Sequence, residues 1–230
     1  PSVAMNTSEY PVWGLRNALS YLLRYEFSFR GAIISRKGEE ISMAEVFSDF
    51  CKRNDHLTVD ELKNFASELD TVIYWDSVYE EMIRINHNEF IKKDQLSFDV
   101  ERIDAVLDML ISDVYVPLKG ITLFLHFPSL NVSWNSFVLE SYIANYSKKY
   151  ELMHASFSAT DCCGAIVRRD SGIPDYRSLL VEVLANNRTW KSKADALDLL
   201  VRESYQQRRS YSDIEKVMQE AKAKAAIIKK

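Results

Sequence analysis

The residue types that catalyse reactions or bind metals are present, but their spacing forms no recognisable site. The four histidines, His56, His87, His126 and His154, are far apart, and none has a second histidine four residues away. Cys162 and Cys163 are adjacent, and with His154 they make only a weak metal or redox set, because burial as small apolar residues is the commoner role of such cysteines. The six glycines are too scattered for a phosphate-binding loop. The sequence therefore predicts no catalytic residue, no metal site and no cofactor, and it favours a non-catalytic protein over an enzyme.

Basic side chains in the last third of the chain have a spacing that favours binding. They occur as Arg168-Arg169, as Lys191 and Lys193, and as Arg208-Arg209, which Ser210 and Tyr211 follow just before a predicted helix. An arginine at the start of such a helix can bind guanine or a backbone phosphate. The candidate nucleic-acid site is therefore Arg168, Arg169, Lys191, Lys193, Arg208, Arg209, Ser210 and Tyr211. The alternative is that these arginines pair with acidic residues of the same chain or of a neighbouring subunit.

Charge is distributed unevenly along the 230 residues, whose net charge is −4. Residues 164–230 carry 14 basic and 9 acidic side chains, whereas residues 1–163 carry 15 basic and 24 acidic ones. An acidic surface is repelled by phosphate at moderate salt, so only the last part of the chain is a candidate for DNA contact.

Two N-terminal helix signals lie close together in the first half. Ser42 with Glu45 and Thr58 with Glu61 are both capping-box pairs, in which a hydroxyl and a carboxylate satisfy each other's free backbone amides. Helices from Met43 and Val59 resemble the start of a helix-turn-helix, and a third helix over residues 75–82 would complete it. Residues 83–85 and 89–91 are suited to a two-stranded wing. The order of elements resembles that of winged-helix domains.

A short internal similarity suggests that this unit is duplicated. Residues 31–36, Gly-Ala-Ile-Ile-Ser-Arg, return as residues 164–169, Gly-Ala-Ile-Val-Arg-Arg, and helix-forming segments follow both copies. In both copies a tyrosine, Tyr74 or Tyr205, precedes the third helix. The identity is confined to a few residues, so chance similarity stays open as an alternative.

The remaining segments have apolar residues at helical spacing. The sequence predicts helices over residues 12–27, 98–110, 117–124 and 133–149, then a strand over 164–169 and helices over 175–185, 192–203 and 212–225. The expected fold is mainly α with small β elements, as two winged-helix-like lobes joined by a helical connector. The expected divisions are an acidic first lobe over 1–97, the connector over 98–160, and a basic second lobe over 161–230.

Composition limits where the protein works and what it contacts. Three cysteines are few and odd in number, which favours a reducing cytoplasm, and no apolar run approaches the roughly eighteen residues that cross a membrane. The leading hypothesis is a cytoplasmic, non-catalytic module that contacts double-stranded DNA through its basic lobe. The acidic lobe would bind a protein partner or a second copy of the chain. The alternative is a protein-interaction scaffold, or a domain of a larger protein, without nucleic-acid contact.

Overall fold

The structure is a computed structural model that describes residues 12–30, 33–39, 41–187 and 189–227. The helices are α1 (Val12–Leu23), α2 (Met43–Arg53), α3 (Val59–Glu68), α4 (Trp75–Glu81), α5 (Val100–Leu110), α6 (Ser136–Asn145), α7 (Tyr176–Asn186), α8 (Lys193–Arg202) and α9 (Ile214–Ile227). The strands are β1 (Phe27–Arg30), β2 (Ile33–Arg36), β3 (His56–Thr58), β4 (Met82–Arg84), β5 (Glu89–Lys92), β6 (Tyr115–Pro117), β7 (Tyr150–Met153) and β8 (Ala165–Arg168). The expected mainly helical fold with small β elements is confirmed.

The first three-stranded sheet is formed by β3, β5 and β4, in that order and antiparallel. Alternation along β5 divides its side chains between two faces. Phe90 packs against the core of α2, α3 and α4, whereas Ile91 belongs to a separate cluster with Ile83 and Leu96. The two strands expected over 83–85 and 89–91 are therefore paired as β4 and β5, and both faces of the pair are covered.

The second three-stranded sheet, β6-β8-β7, repeats the topology of the first. In both sheets the strand that comes last in the chain lies in the centre, between the two earlier strands. In the first sheet, α2 precedes β3 and α4 precedes β4. In the second sheet, α5 precedes β6 and α6 precedes β7. Two short 3-10 turns, Leu118–Gly120 and Phe124–His126, stand where the first unit has α3. The same order of elements thus occurs over residues 43–92 and 100–168.

This repetition has a different alignment from the one that the sequence suggests. Strand β2, which carries the end of the first similar segment, pairs with β1 in an isolated hairpin. Strand β8, which carries the second, is the central strand of a three-stranded sheet. Gly31 and Ala32 lie outside the described residues, and no strand follows Arg168 in residues 169–187 and 189–227. The short identity at 31–36 and 164–169 therefore does not correspond to equivalent surroundings.

Helices α7, α8 and α9 pack against one face of the second sheet, and α5 and α6 pack against the other. Ala165 and Val167 of β8 lie in the cluster formed with α7–α9, whereas Ile166 between them lies in the cluster formed with α5 and α6. Strand β8 is hydrogen-bonded on one side to β6 and on the other to β7. The middle and last parts of the chain consequently share one sheet.

Of two predicted helices in the middle segment, one is shorter than expected and the other is absent. The expected helix over 133–149 ends at Asn145, and β7 follows it. Buried Asp104 explains the end of the helix: its carboxylate accepts hydrogen bonds from the amides of Lys148 and Lys149 at 3.0 and 3.1 Å and from the Ser147 hydroxyl at 2.7 Å. The expected helix over 117–124 is also wrong, since Pro117 ends β6.

Within the described residues, no helix has both the length and the apolar character needed to cross a membrane.

Candidate binding groove

Two cavities of about 750 Å³ each adjoin on one side of the molecule. Trp75, Ser156, Phe157, Ala159 and Arg208 line both, so the two cavities form one elongated depression. We call it the groove. Its floor is the segment 155–161, one wall is the chain between α3 and α4, and the other wall is the loop between α8 and α9.

The floor has no regular secondary structure and is held by a buried arginine. The Arg84 guanidinium donates to the carbonyl oxygens of Ser158 at 2.6 Å and Ala159 at 2.9 Å, and it also donates to the His87 carbonyl at 2.6 Å. The Phe157 ring stacks on Tyr79 with 3.7 Å between ring centroids. Arg84 is fully buried, so its many donors must be satisfied within the protein. The floor is thereby fixed to the first sheet.

A buried carboxylate completes this polar cluster. Glu140 of α6 accepts a hydrogen bond from the Tyr79 hydroxyl, which lies 3.5 Å from the Arg84 guanidinium. Burial raises the pKa of Glu140 to about 7, although the hydrogen bond from Tyr79 and the charge of Arg84 both lower it. Burial likewise raises the pKa of Tyr79 well above its usual value. The cluster joins α4, β4 and α6 under the groove floor.

The first wall follows the C-terminal end of α3. Leu69 is the C-cap, and Asp70 next to it has a φ of 51°. The Thr71 amide donates a hydrogen bond to the Ala66 carbonyl at 3.0 Å. This bond caps the end of the helix and turns the chain towards Trp75. Val72 is 73% exposed in this wall, so the wall presents an apolar side chain to solvent.

The second wall is the loop 203–213. Ser204 has a φ of 63°, and its carbonyl accepts from the Gly164 amide at 3.0 Å. Buried Gln206 donates its side-chain amide to the Arg208 carbonyl at 2.6 Å, and Gln207 donates to the Asp161 carbonyl at 2.6 Å. The Tyr176 hydroxyl donates a hydrogen bond to the Tyr205 carbonyl at 2.9 Å. The backbone that carries Arg208 is consequently fixed to both α7 and the floor.

The structure brings together only three of the candidate nucleic-acid residues, and it brings them into the groove: Arg208, Ser210 and Tyr211. They lie before a helix as expected, and α9 begins two residues later than predicted, at Ile214. Arg209 is next to them but lines neither cavity; its Nε lies 2.8 Å from Asp198 Oδ1.

The other candidate residues lie outside the groove. Arg168 Nη1 lies 4.0 Å from Asp108 Oδ1, and Arg169 Nη1 lies 3.6 Å from Glu151 Oε2. Lys193 pairs with Glu215 of α9 at 3.3 Å, and Lys191 is exposed before α8. The pairings of Arg168 and Arg169 match the alternative noted from the sequence, in which basic residues meet acidic ones of the same chain.

The two adjacent cysteines also lie at the groove. Both are buried, and burial is the main cause that raises the pKa of Cys162 to about 12 and of Cys163 to about 11. At neutral pH both thiols are therefore protonated, which is unfavourable for a nucleophile or a metal ligand. In the part of the chain that the structure describes, no group of three or more His, Cys, Asp or Glu side chains is placed to bind a metal ion.

Sequence reasoning missed most of the groove. No spacing or motif in the sequence connects its other lining residues, among them Trp75, Lys119, Phe157, Asp161, Gln206 and Gln207. The signals that pointed to the site were the arginine pair before a helix and the adjacent Cys162 and Cys163. No family model, no curated protein and no solved structure matches this chain.

Proposed function

We propose that residues 43–92 and 100–168 are two winged-helix units related by duplication, and that the chain is a non-catalytic protein-interaction module. The order of helix, strand, helical segments and a two-stranded wing supports the winged-helix assignment of both units. Residues 176–227 would then be a helical addition to the second unit. This division replaces 1–97, 98–160 and 161–230 with boundaries that keep each sheet whole.

The observation that carries the proposal is the burial of α6. The helix before the wing is the one that a DNA-binding winged-helix domain inserts in the major groove. In the second unit this helix is α6, and all residues from Val138 to Ile143 are buried. Six consecutive residues cover every side of an α-helix, so no face is left for DNA.

The corresponding helix of the first unit is α4, and it packs against α6. The Tyr79 hydroxyl donates to Glu140, and the Arg84 amide donates to the Ser141 hydroxyl at 2.9 Å. The charged residues of α4 are Asp76, Glu80 and Glu81, all acidic. Both recognition helices are thus used to join the two units, which supports a role in binding protein.

A titration with duplex DNA tests the proposal. A fluorescein-labelled random-sequence 20-base-pair duplex is added to the full chain at about 50 and about 200 mM salt, and the anisotropy is followed. We expect no salt-dependent binding. In parallel, benzoylphenylalanine at Ser210 in cells that express the chain is expected to give discrete protein adducts. Salt-dependent DNA binding, together with no protein adduct, would contradict the proposal.

DNA contact through the last part of the chain is the second candidate. Arg208 supports it, because no described carboxylate oxygen lies within ion-pair distance of its guanidinium. If this candidate holds, the Arg208→Ala/Arg209→Ala double variant loses most of the duplex binding. Unchanged binding would remove these residues from the DNA site.

A cytoplasmic location remains part of the proposal. The cysteines Cys51, Cys162 and Cys163 are all free and buried. Unpaired buried thiols are typical of proteins that stay in a reducing compartment.

A further inference from the structure

We propose that the groove binds an extended peptide segment of a partner protein, with an acidic side chain at Arg208 and an apolar side chain at Trp75. This inference rests on the proposed protein-interaction function and names the occupant of the site. The groove is elongated, because two cavities that share five lining residues adjoin along the segment 155–161. An elongated depression of this kind fits an extended chain.

Arg208 supplies the argument for an acidic residue. The arginines that the structure describes on either side of it, Arg202 and Arg209, both pair with a carboxylate at 2.8–3.0 Å. Arg208 is exposed in the groove without such a partner among the described residues. In the same cavity Lys119 and Asp161 pair with each other and cancel their charges. The charge that remains in this cavity is positive, so it favours a carboxylate from outside.

The apolar position is placed by the first wall. Trp75 lies half-buried beside Phe157, and the exposed Val72 lines the same cavity. Tryptophan and arginine are the residues that contribute most often to binding energy at protein interfaces. Asp70 also lines this cavity, so the acidic residue of the ligand belongs in the other cavity, which Arg208 also lines.

Two backbone amides of the floor have no hydrogen-bond acceptor among the described residues and are therefore available to an extended ligand. No described group accepts a hydrogen bond from the backbone amides of Phe157 or Ala159, although the Ala159 carbonyl is bound by Arg84. Several hydroxyl groups border the floor, among them Ser156, Thr160 and Ser210. Because both walls and the floor are fixed by internal hydrogen bonds, little order must be gained on binding.

The test uses random 12-residue peptides displayed on phage and selected against the full chain. The most enriched peptide is then synthesised, and its dissociation constant is measured by anisotropy for wild type, Arg208→Ala and Arg209→Ala. The last two variants are a matched pair, because the residues are adjacent and exposed but only Arg208 lines the groove. Their melting temperatures show that both are folded.

We expect enriched peptides to contain Asp or Glu near an apolar residue. Arg208→Ala should weaken the synthesised peptide at least about tenfold, which is typical of a lost hydrogen bond to a charged group, whereas Arg209→Ala should change it less than about twofold. In ¹⁵N-labelled protein the peptide should shift the indole signal of Trp75 and leave those of Trp134 and Trp190 unchanged.

The inference would be overturned by enriched peptides without acidic residues, or by an equal loss of binding in the two variants. A selection that returns no peptide dependent on Arg208 would overturn it as well. If cross-linked protein adducts are found, these results overturn only the peptide-binding inference, and the proposed protein-interaction function is retained. Salt-dependent binding to duplex DNA, together with no protein adduct, would instead remove the proposed function.

Discussion

At the scale of single residues, Gly164 shows how closely the second sheet is built. Its φ is +110°, a value that side chains rarely adopt, and a Cβ atom would lie 2.5 Å from the Met153 carbonyl oxygen. Its amide donates a hydrogen bond to the Ser204 carbonyl, so the position of the groove's second wall depends on this contact between the two backbone segments. A side chain at position 164 would be opposed both by the backbone conformation and by lack of space.

Gly164→Ala is expected to lower the free energy of unfolding by about 3 kcal/mol, because strain and a steric clash add. Gly38→Ala is the control: Gly38 also has a positive φ, +92°, but nothing lies within 4 Å of its Cβ position. That substitution should cost only about 1 kcal/mol. Urea denaturation of both variants measures the difference, and equal costs would show that the contact with Met153 is unimportant.

Glu140 predicts a pH dependence of stability. Its ordinary pKa is 4.5, and burial raises the pKa in the folded protein to about 7. The folded state therefore keeps the proton where the unfolded chain has lost it, so the stabilisation from this group is complete below pH 4.5 and is lost as the pH rises to 7. The difference amounts to about 3 kcal/mol at 1.4 kcal/mol per pKa unit.

The variant Glu140→Gln should remove this dependence, because an amide does not titrate. The wild-type minus variant difference in unfolding free energy, measured in urea at pH 4.5 and pH 8, is expected to fall by about 3 kcal/mol between these values. A constant difference for Glu140→Gln would show that Glu140 is ionised throughout this range.

At the scale of elements, local patterns predicted what local contacts determine. The capping pairs at Ser42 and Thr58 placed the starts of α2 and α3 at the observed residues, since the hydroxyl-to-amide hydrogen bonds that define them lie within three residues. The strands β6 and β7 escaped prediction. Tyr142, Tyr146 and Tyr150 have helical spacing, but Asp104, some forty residues earlier, binds the amides that end the helix.

The groove was predictable only in part for the same reason. Arg208 stood out because it lies in a cluster of like charges. The floor is held by hydrogen bonds from Arg84 to carbonyl oxygens more than seventy residues away. Every residue has a backbone carbonyl, so the sequence does not indicate which one is the acceptor. Glu140 and Tyr79 are sixty-one residues apart, so their pairing also has no local signal.

The floor segment is expected to depend on Arg84 as a planar group with several donors. Arg84→Lys keeps the charge but cannot reach the Ser158, Ala159 and His87 carbonyls together, so buried acceptors lose their partners. The expected cost is about 3 kcal/mol. Hydrogen–deuterium exchange followed by mass spectrometry should show faster exchange in residues 155–161 than in wild type. Lys63→Arg, at an exposed position of α3 that lines the groove, should leave exchange in this segment unchanged.

At the scale of the whole molecule, apolar clusters cross the expected divisions between residues 1–97, 98–160 and 161–230. Ile166 lies in one core, and its neighbours Ala165 and Val167 lie in another. Phe157, from the groove floor, packs in the core of α2, α3 and α4. Each of these divisions contributes apolar side chains to the core of another. None is therefore expected to stay folded when its neighbour unfolds.

Tryptophan fluorescence can test this coupling, since Trp75, Trp134 and Trp190 report on the first unit, the second unit and the C-terminal helices. Three variants are made, each with one of these residues and phenylalanine at the other tryptophan positions. In each variant we expect the urea transition seen by fluorescence to coincide with the transition seen by far-UV circular dichroism, because all helices are lost together. The comparison is internal to each variant, so the cost of the substitutions cancels. A fluorescence midpoint for Trp190 that differs from the dichroism midpoint would show that α7–α9 unfold separately. In that case the groove, which needs the loop before α9, would open before the rest of the protein unfolds.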